Sequence, residues 1–426
     1  MILALVNRVR ESDFIRKILE TFITRVLLIG IGLITSVITA RILGPENRGF
    51  LAASIALLMI LYQFSNMGLH AANVYYVSRD RSLLPVLVGN SMLVGFVVGG
   101  GASLLTAIVF GIKPQWAPVT GLMLILPLVT VPIDLTALLL QNILIGVYNI
   151  RIFNVIQVAS RLASIGLILG LIVLSIVSVE SMLVTNLMTS MFALLWTLWS
   201  LKRYLTGWPH ASIALFRSHV RYGLMAYFAA LFSFIVLRSD MLMVKYMLGA
   251  EQLGYYALAV TMGDMMYMLP VTVGTILFPR LSAMTSNQEK EALTFRITLV
   301  LSVILLVMLG IACILAKPAV RILYGEEFLP AVPAFYWLSI GLWFLSVNTM
   351  FTNYFASIGM PIVSVFSPAL ASLVNFVANL YLTPRWGISG TAIASSVAYG
   401  MMFFTSLVYI VLMRRRRRVA IAYTGP

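Results

Sequence analysis

Charge is what this sequence has least of. Only 10% of its 426 residues are Asp, Glu, Lys or Arg, against 61% hydrophobic ones, and the 14 acidic residues are outnumbered by 29 basic ones. A water-soluble domain of this length could not cover its surface with so few charges, so that class is excluded. The mean hydropathy of +1.00 points the same way. Cysteine is nearly absent too. Cys313 stands alone inside an apolar run, which rules out an intrachain disulfide and a cysteine metal cluster. No Gly-x-x-x-x-Gly-Lys-[Ser/Thr] loop, no Gly-x-Ser-x-Gly elbow and no metal-ligand spacing of His, Cys and Asp occurs, so nothing marks a nucleotide hydrolase, a serine hydrolase or a metalloenzyme. No cleavable signal with an apolar core precedes the first long apolar run.

What the sequence does contain is apolar runs long enough to cross a bilayer, about 20 residues each. Twelve spans are predicted, at 21–40, 49–77, 83–111, 116–147, 152–177, 181–201, 222–247, 254–279, 293–316, 331–357, 361–383 and 389–413. The expected class is an all-α integral membrane protein. The loops between spans are too short to hold an extramembrane catalytic domain, so no enzyme is expected; a membrane polysaccharide polymerase or ligase would need such a loop.

The stretch Leu43-Gly44-Pro45-Glu46-Asn47-Arg48-Gly49-Phe50-Leu51-Ala52 recurs as Leu248-Gly249-Ala250-Glu251-Gln252-Leu253-Gly254-Tyr255-Tyr256-Ala257, 205 residues further on. Five of the ten positions are identical, and both copies join one apolar run to the next, which predicts two related halves. The expected organisation is an interfacial segment at 1–20, a six-helix bundle at 21–201, a cytoplasmic linker at 202–221, a second six-helix bundle at 222–413 and a basic tail at 414–426. Six spans per half is an even number, so both bundles enter the membrane with the same orientation. Such repeats are related by a pseudo-two-fold along the membrane normal with a cleft between them. Outside the middles of the spans, 19 Lys and Arg lie on one side of the membrane and seven on the other, which places both termini in the cytoplasm. The net charge of +15 therefore orients the chain and does not indicate nucleic acid. Arg414 to Arg418 read as an anchor against anionic lipid.

Several spans carry polar side chains at helical spacing, for example Gln63, Asn66, His70 and Asn73, or Asn154, Gln157, Arg161 and Ser164. Such rows avoid lipid and face other helices or water; helix–helix hydrogen bonding and a hydrated cleft are the two readings. Gly95-x-x-x-Gly99 and Gly166-x-x-x-Gly170 read as close helix contacts. Charges within spans narrow the choice. Arg25, Arg161 and Arg238, with Arg48, Asn66 and Asn73, are candidates for an anionic head group such as a diphosphate, which needs fixed forked donors. Arg25 reads equally as a snorkelling side chain and Arg48 as a solvated loop charge. Asp134, Asp264, Asp240 and His70 are candidates for carrying a proton or binding Na⁺, with an internal ion pair as the other reading for mid-span charges. Arg238 and Asp240 are two residues apart, so they point to different faces, and one of them is expected to pair across helices.

Ala40-Arg41-Ile42-Leu43-Gly44-Pro45-Glu46-Asn47-Arg48-Gly49-Phe50 in the first half resembles the Wzx-type polysaccharide flippases of the multidrug/oligosaccharidyl-lipid/polysaccharide exporter superfamily. So does Arg238-Ser239-Asp240-Met241-Leu242 followed by the second copy of the repeat. The resemblance extends over the whole chain. It implies a MATE-like fold and a flippase that moves an undecaprenyl-diphosphate-linked oligosaccharide from the cytoplasmic to the periplasmic leaflet of a bacterial inner membrane. It further implies alternating access driven by H⁺ or Na⁺, no other cofactor, and as partners the lipid-linked substrate, membrane lipid and polysaccharide polymerase machinery. Arg25 matches the family's first-span arginine and Asp240 its seventh-span aspartate, whose role is either structural or in transport. The Phe-Arg-x-Pro-Asn stretch and two extra spans of the lipid II flippase branch are missing. The drug/cation antiporter branch shares the architecture but favours a carboxylate-led cleft, whereas here three intramembrane Arg balance three Asp.

Overall fold

The computed structural model describes the backbone of residues 2–423; the side chains of 1–19, 21–22, 218–219, 221–223, 225–226 and 416–426 lie outside the description. The expected interfacial segment at 1–20 and most of the basic tail at 414–426 therefore fall outside the described side chains. The described chain is helical throughout. Its elements are α1 (Ile2–Ser65), α2 (Leu69–Arg79), α3 (Leu84–Leu93), α4 (Gly100–Ile112), α5 (Leu122–Gly146), α6 (Ile150–Val173), α7 (Val179–Leu201), α8 (Ile213–Leu248), α9 (Ala250–Ala283), α10 (Asn287–Leu323), α11 (Ala331–Ser357) and α12 (Val363–Tyr423). A π-helical segment, Val94–Gly99, joins α3 to α4. Ten described helical stretches are long and apolar enough to cross a membrane. Two of them, in α1 and α12, are bent at Gly44 and Gly387, where the backbone leaves the helical region, so each supplies two arms. That accounts for the twelve predicted spans.

Turns fall where glycine allows them. Gly44 has φ 70° and ψ 176°, and Gly249 has φ 93° and ψ 179°. The two copies of the repeat thus make the same turn, in a region of backbone space that is essentially closed to residues with a Cβ. The glutamate two residues on lies in the first turn of the following helix, where a carboxylate meets the positive end of the helix dipole, and Glu251 also accepts a 2.6 Å hydrogen bond from Tyr255. Gly44→Ala and Gly249→Ala are each expected to lower unfolding free energy by about 1–3 kcal/mol, because the new Cβ is held at a strained dihedral. Gly166→Ala, in mid-helix with open space around it, is expected to raise it by about 0.5–1 kcal/mol. Denaturant unfolding of detergent-solubilised protein checks the contrast; equal effects at the three positions would remove strain as the cause.

The chain divides into two compact units, 1–227 and 228–426. In the first, α5 is central, packed by α1, α2, α4 and α7. In the second the central helix is α11, against α9, α10 and α12, and two-thirds of its most apolar window is buried. Outer helices turn apolar side chains outward, as α10 does with Leu299, Val303, Val307, Ile311 and Ile314, which suits lipid rather than water.

Three expectations change. The division falls inside α8 rather than in the 202–221 linker. Residues 205–212 are tied to α3 instead: Asn90 and Ser212 exchange two hydrogen bonds, of 3.2 and 2.9 Å, and the His210 amide donates to the Pro85 carbonyl. Of the two small-residue pairs, Gly95 and Gly99 do pack against α5, at Thr136 and at Leu135 and Pro132, whereas no described residue approaches Gly166 or Gly170. The predicted span at 49–77 is broken at Met67 and Gly68, both at positive φ, between α1 and α2.

Candidate functional site

Each unit carries one concentrated polar cluster. In the first, a cavity of about 340 Å³ opens among the second arm of α1, α5, α6 and α7. Gln157, Arg161 and Ser164 reach it from α6 because steps of four and three residues keep them on one face. Asp134 and Gln141, two turns apart, reach it from α5, and Asn186 and Ser190 from α7. The Ser190 hydroxyl and the Arg161 charge both favour the ionised Asp134 carboxylate across the cavity. Gln157 Nε2 donates to Gln141 Oε1 at 2.9 Å. The predicted stripe on α6 is thus brought to a predicted carboxylate. Asn186, Ser190 and the pairing of Gln141 were missed, although Asn186 and Ser190 stand one helical turn apart and could have been read as a stripe.

The remaining first-unit candidates do not join that cavity. Asn66 and His70 hydrogen-bond each other at 2.9 Å across the break between α1 and α2. Asn73, buried, donates to Ser91 Oγ at 2.8 Å and to the Leu139 carbonyl at 3.1 Å, tying α2 to α3 and α5. Arg48 is buried, not a solvated loop charge; from beyond the Gly44 turn it reaches back to the Ser36 carbonyl at 2.8 Å and hydroxyl at 3.0 Å, holding the arms of α1 together. Arg25, on the first arm of α1, is half-buried, and no hydrogen bond or ion pair engages it among the described residues.

In the second unit the charges are arranged in antiparallel order on α8 and α9. Arg238 forms a 2.8 Å ion pair with Asp264. Asp240, two residues on and only 1% exposed, accepts hydrogen bonds from Tyr256 at 2.5 Å and from Ser395 at 2.8 Å. The polar chain continues from Ser395 to Asn375, from Asn375 to Asn379, then to Thr383 and Thr391, every member buried. The expected pairing across helices is present, between Arg238 and Asp264, and Asp240 reaches the same helix through Tyr256.

Over residues 38–333, the chain matches the family described as polysaccharide biosynthesis protein. The chain belongs to that family. The matching stretch runs from the first arm of α1 into α11 and takes in Asp134, Arg161, Arg238, Asp240 and Asp264, while Asn375 and Ser395 lie beyond it. The chain is similar to the succinoglycan biosynthesis transport protein ExoT of Rhizobium meliloti (strain 1021), at 24% identity over 343 residues, which is 78% of this chain and 66% of that protein. It spans less than two thirds of the length of each curated relative it matches.

Among solved structures, an inward-facing multidrug resistance MATE family transporter of the MOP superfamily superposes with a TM-score of 0.73 at 15% identity, covering 94% of this chain and 96% of that one. The lipid II flippase MurJ in an inward closed conformation gives 0.72 at 17% identity, over 93% and 87%. At such identities the likeness is one of fold: this member of the polysaccharide biosynthesis family has the helical membrane fold of those transporters.

Proposed function

We propose that the chain is a flippase that carries an undecaprenyl-diphosphate-linked oligosaccharide, one repeat unit of a polysaccharide, from the cytoplasmic to the periplasmic leaflet of a bacterial plasma membrane. The observation that carries this reading is the family match on a chain folded as transporters are, so that its part in polysaccharide biosynthesis is movement rather than bond making. The 24% identical relative, named for transport in succinoglycan biosynthesis, supports it. The distribution of Lys and Arg supports cytoplasmic termini. On the far side the delivered unit would meet polysaccharide polymerase machinery.

Roles follow from which charges already have partners. Arg238 is engaged by Asp264 and Arg48 by Ser36. Of the two intramembrane arginines in no ion pair among the described residues, Arg161 faces Asp134 across the first-unit cavity, and Arg25 is left to meet a diphosphate, whose oxygens match its forked donors. Asp240 suits the coupling ion: its carboxylate is buried with two hydroxyl donors, while the neighbouring guanidinium is taken by Asp264. A buried carboxylate so placed is stabilised when a proton or Na⁺ arrives.

Purified protein in proteoliposomes, given a fluorescent undecaprenyl-diphosphate oligosaccharide and an imposed H⁺ or Na⁺ gradient, tests the reading. Wild type is expected to move the fluorophore out of reach of an impermeant quencher. Arg25→Ala is expected to raise the half-saturating concentration about 10- to 100-fold, the worth of a hydrogen bond to a charged group. Export of cationic dyes with no movement of lipid-linked sugar would assign the chain to the drug/cation antiporters instead.

A further inference from the structure

The polar groups around the first-unit cavity cancel in charge. One carboxylate, Asp134, faces one guanidinium, Arg161, and the other polar walls are amides and hydroxyls. We propose that this cavity holds a neutral pyranose ring of the transported oligosaccharide, with Asp134 and Arg161 as acceptor and donor for sugar hydroxyls. The assignment rests on the flippase reading and departs from the sequence-based roles, in which Arg161 met the diphosphate and Asp134 the coupling ion.

Four observations favour a sugar over either of those ligands. A diphosphate calls for an excess of cations and a bound cation for an excess of anionic oxygen; a balanced pair offers neither. Unlike Arg238 and Asp264, Asp134 and Arg161 form no direct ion pair among the described residues, although both line the cavity. A hydroxyl donates and accepts at once, so a diol can bridge carboxylate and guanidinium. Second, Asn186 Oδ1 and Ser160 Oγ are buried in the cavity wall with no hydrogen-bond partner among the described residues. Buried polar atoms are normally paired, and a turn of these two side chains toward the cavity would pair them with a hydroxyl-rich ligand.

Third, the Gln157–Gln141 bond uses one donor and one acceptor of the two amides, leaving Gln141 Nε2 and Gln157 Oε1 for a ligand. Fourth, about 340 Å³ is at the small end of ligand pockets, roughly 300–1,000 Å³, with room for one sugar ring rather than a whole repeat unit. Tyr62 and Met59 supply the less polar wall that the C–H face of a ring needs.

The test uses the full chain in detergent with methyl pyranosides of glucose, galactose, mannose and N-acetylglucosamine, read by saturation-transfer NMR and competed with inorganic pyrophosphate. At least one pyranoside is expected to bind wild type and to be unmoved by pyrophosphate. Asn186→Ala and Gln157→Ala, which remove polar atoms without adding bulk, are each expected to weaken it about tenfold. The same variants are expected to raise the half-saturating concentration for lipid-linked oligosaccharide while leaving inhibition by sugarless undecaprenyl diphosphate unchanged. Binding of none of the pyranosides, or displacement by pyrophosphate, overturns the proposal. Wild type that flips lipid-linked sugar with neither variant altering binding or half-saturation overturns the cavity's role and leaves the flippase standing. Pyranoside binding abolished by the variants in a protein that flips nothing upholds the sugar site and sinks the flippase.

Discussion

Asp240→Asn is expected to collapse the leaflet bias that an imposed gradient produces, while leaving a folded protein. One monovalent cation crossing 100 mV supplies about 2.3 kcal/mol, which converts to a roughly fiftyfold bias in substrate between leaflets. If Asp240 takes up that cation, the amide cannot, and the substrate should equilibrate to equal labelling of the two leaflets. Folding survives because asparagine keeps the shape and one acceptor oxygen, and the Tyr256 and Ser395 hydroxyls can turn to accept from the new amide. The measurement is the quencher-accessible fraction of fluorescent lipid-linked oligosaccharide at steady state, with a potassium-diffusion potential and with H⁺ or Na⁺ gradients. A variant that holds the wild-type bias would remove Asp240 from coupling and leave it as a structural acceptor.

Gly390→Ala is expected to be the most damaging small substitution in the second unit. A Cβ there would lie 2.2 Å from the Leu382 carbonyl oxygen and 2.6 Å from its carbon. Both atoms are backbone, so no rotamer change relieves the overlap, and the arms of α12 must part. The neighbouring Thr383–Thr391 hydrogen bond, 2.9 Å long and fully buried, ends the polar chain that begins at Asp240, so parting the arms also strips partners from buried hydroxyls. Overpacking alone costs about 1–3 kcal/mol and an unsatisfied buried polar group about 1–3 kcal/mol more. Gly400→Ala, whose nearest neighbour would be Phe344 at 3.9 Å, is the matched control and is expected to raise stability by about 0.5–1 kcal/mol, as at Gly166. Thermal unfolding in detergent separates the two; a Gly390 variant as stable as the Gly400 variant would mean the backbone arms move apart freely.

Much of the fold was legible because membrane chains obey one dominant rule, that apolar length equals a crossing. The repeat around Gly44 and Gly249 was equally plain, since only glycine fits the turn both copies make. That a mid-span charge such as Arg238 would pair across helices followed from the cost of a lone charge in a span, but not that its partner would be Asp264. The neighbours of each polar stripe were not legible. Helical spacing tells which residues share a face but not which helix the face meets, so nothing in the sequence placed Asp134 opposite Arg161 or delivered Ser395 to Asp240. The stripe Gln63, Asn66, His70 and Asn73 misled for a different reason. It assumed an unbroken helix, and the turn at Met67 and Gly68 separates its members, leaving Asn66 to pair with His70 and Asn73 to bind α3 and α5. Arg48 looked like a loop charge because its partner, Ser36, lies on the other arm of a hairpin.

The π-helical segment Val94–Gly99 acts as a dislocation within one continuous span. Each such turn holds one residue more than an α-turn, and one residue is about 100° of rotation, so α4 runs out of phase with α3 by that amount. Gly95 and Gly99, which meet α5, lie within the shift itself. The faces of residues 84–112 thus obey two helical wheels, offset at the π turn, and a polarity pattern drawn on a single wheel would assign the wrong side to every position of α4, including the outward-facing Leu104, Leu105 and Ile108.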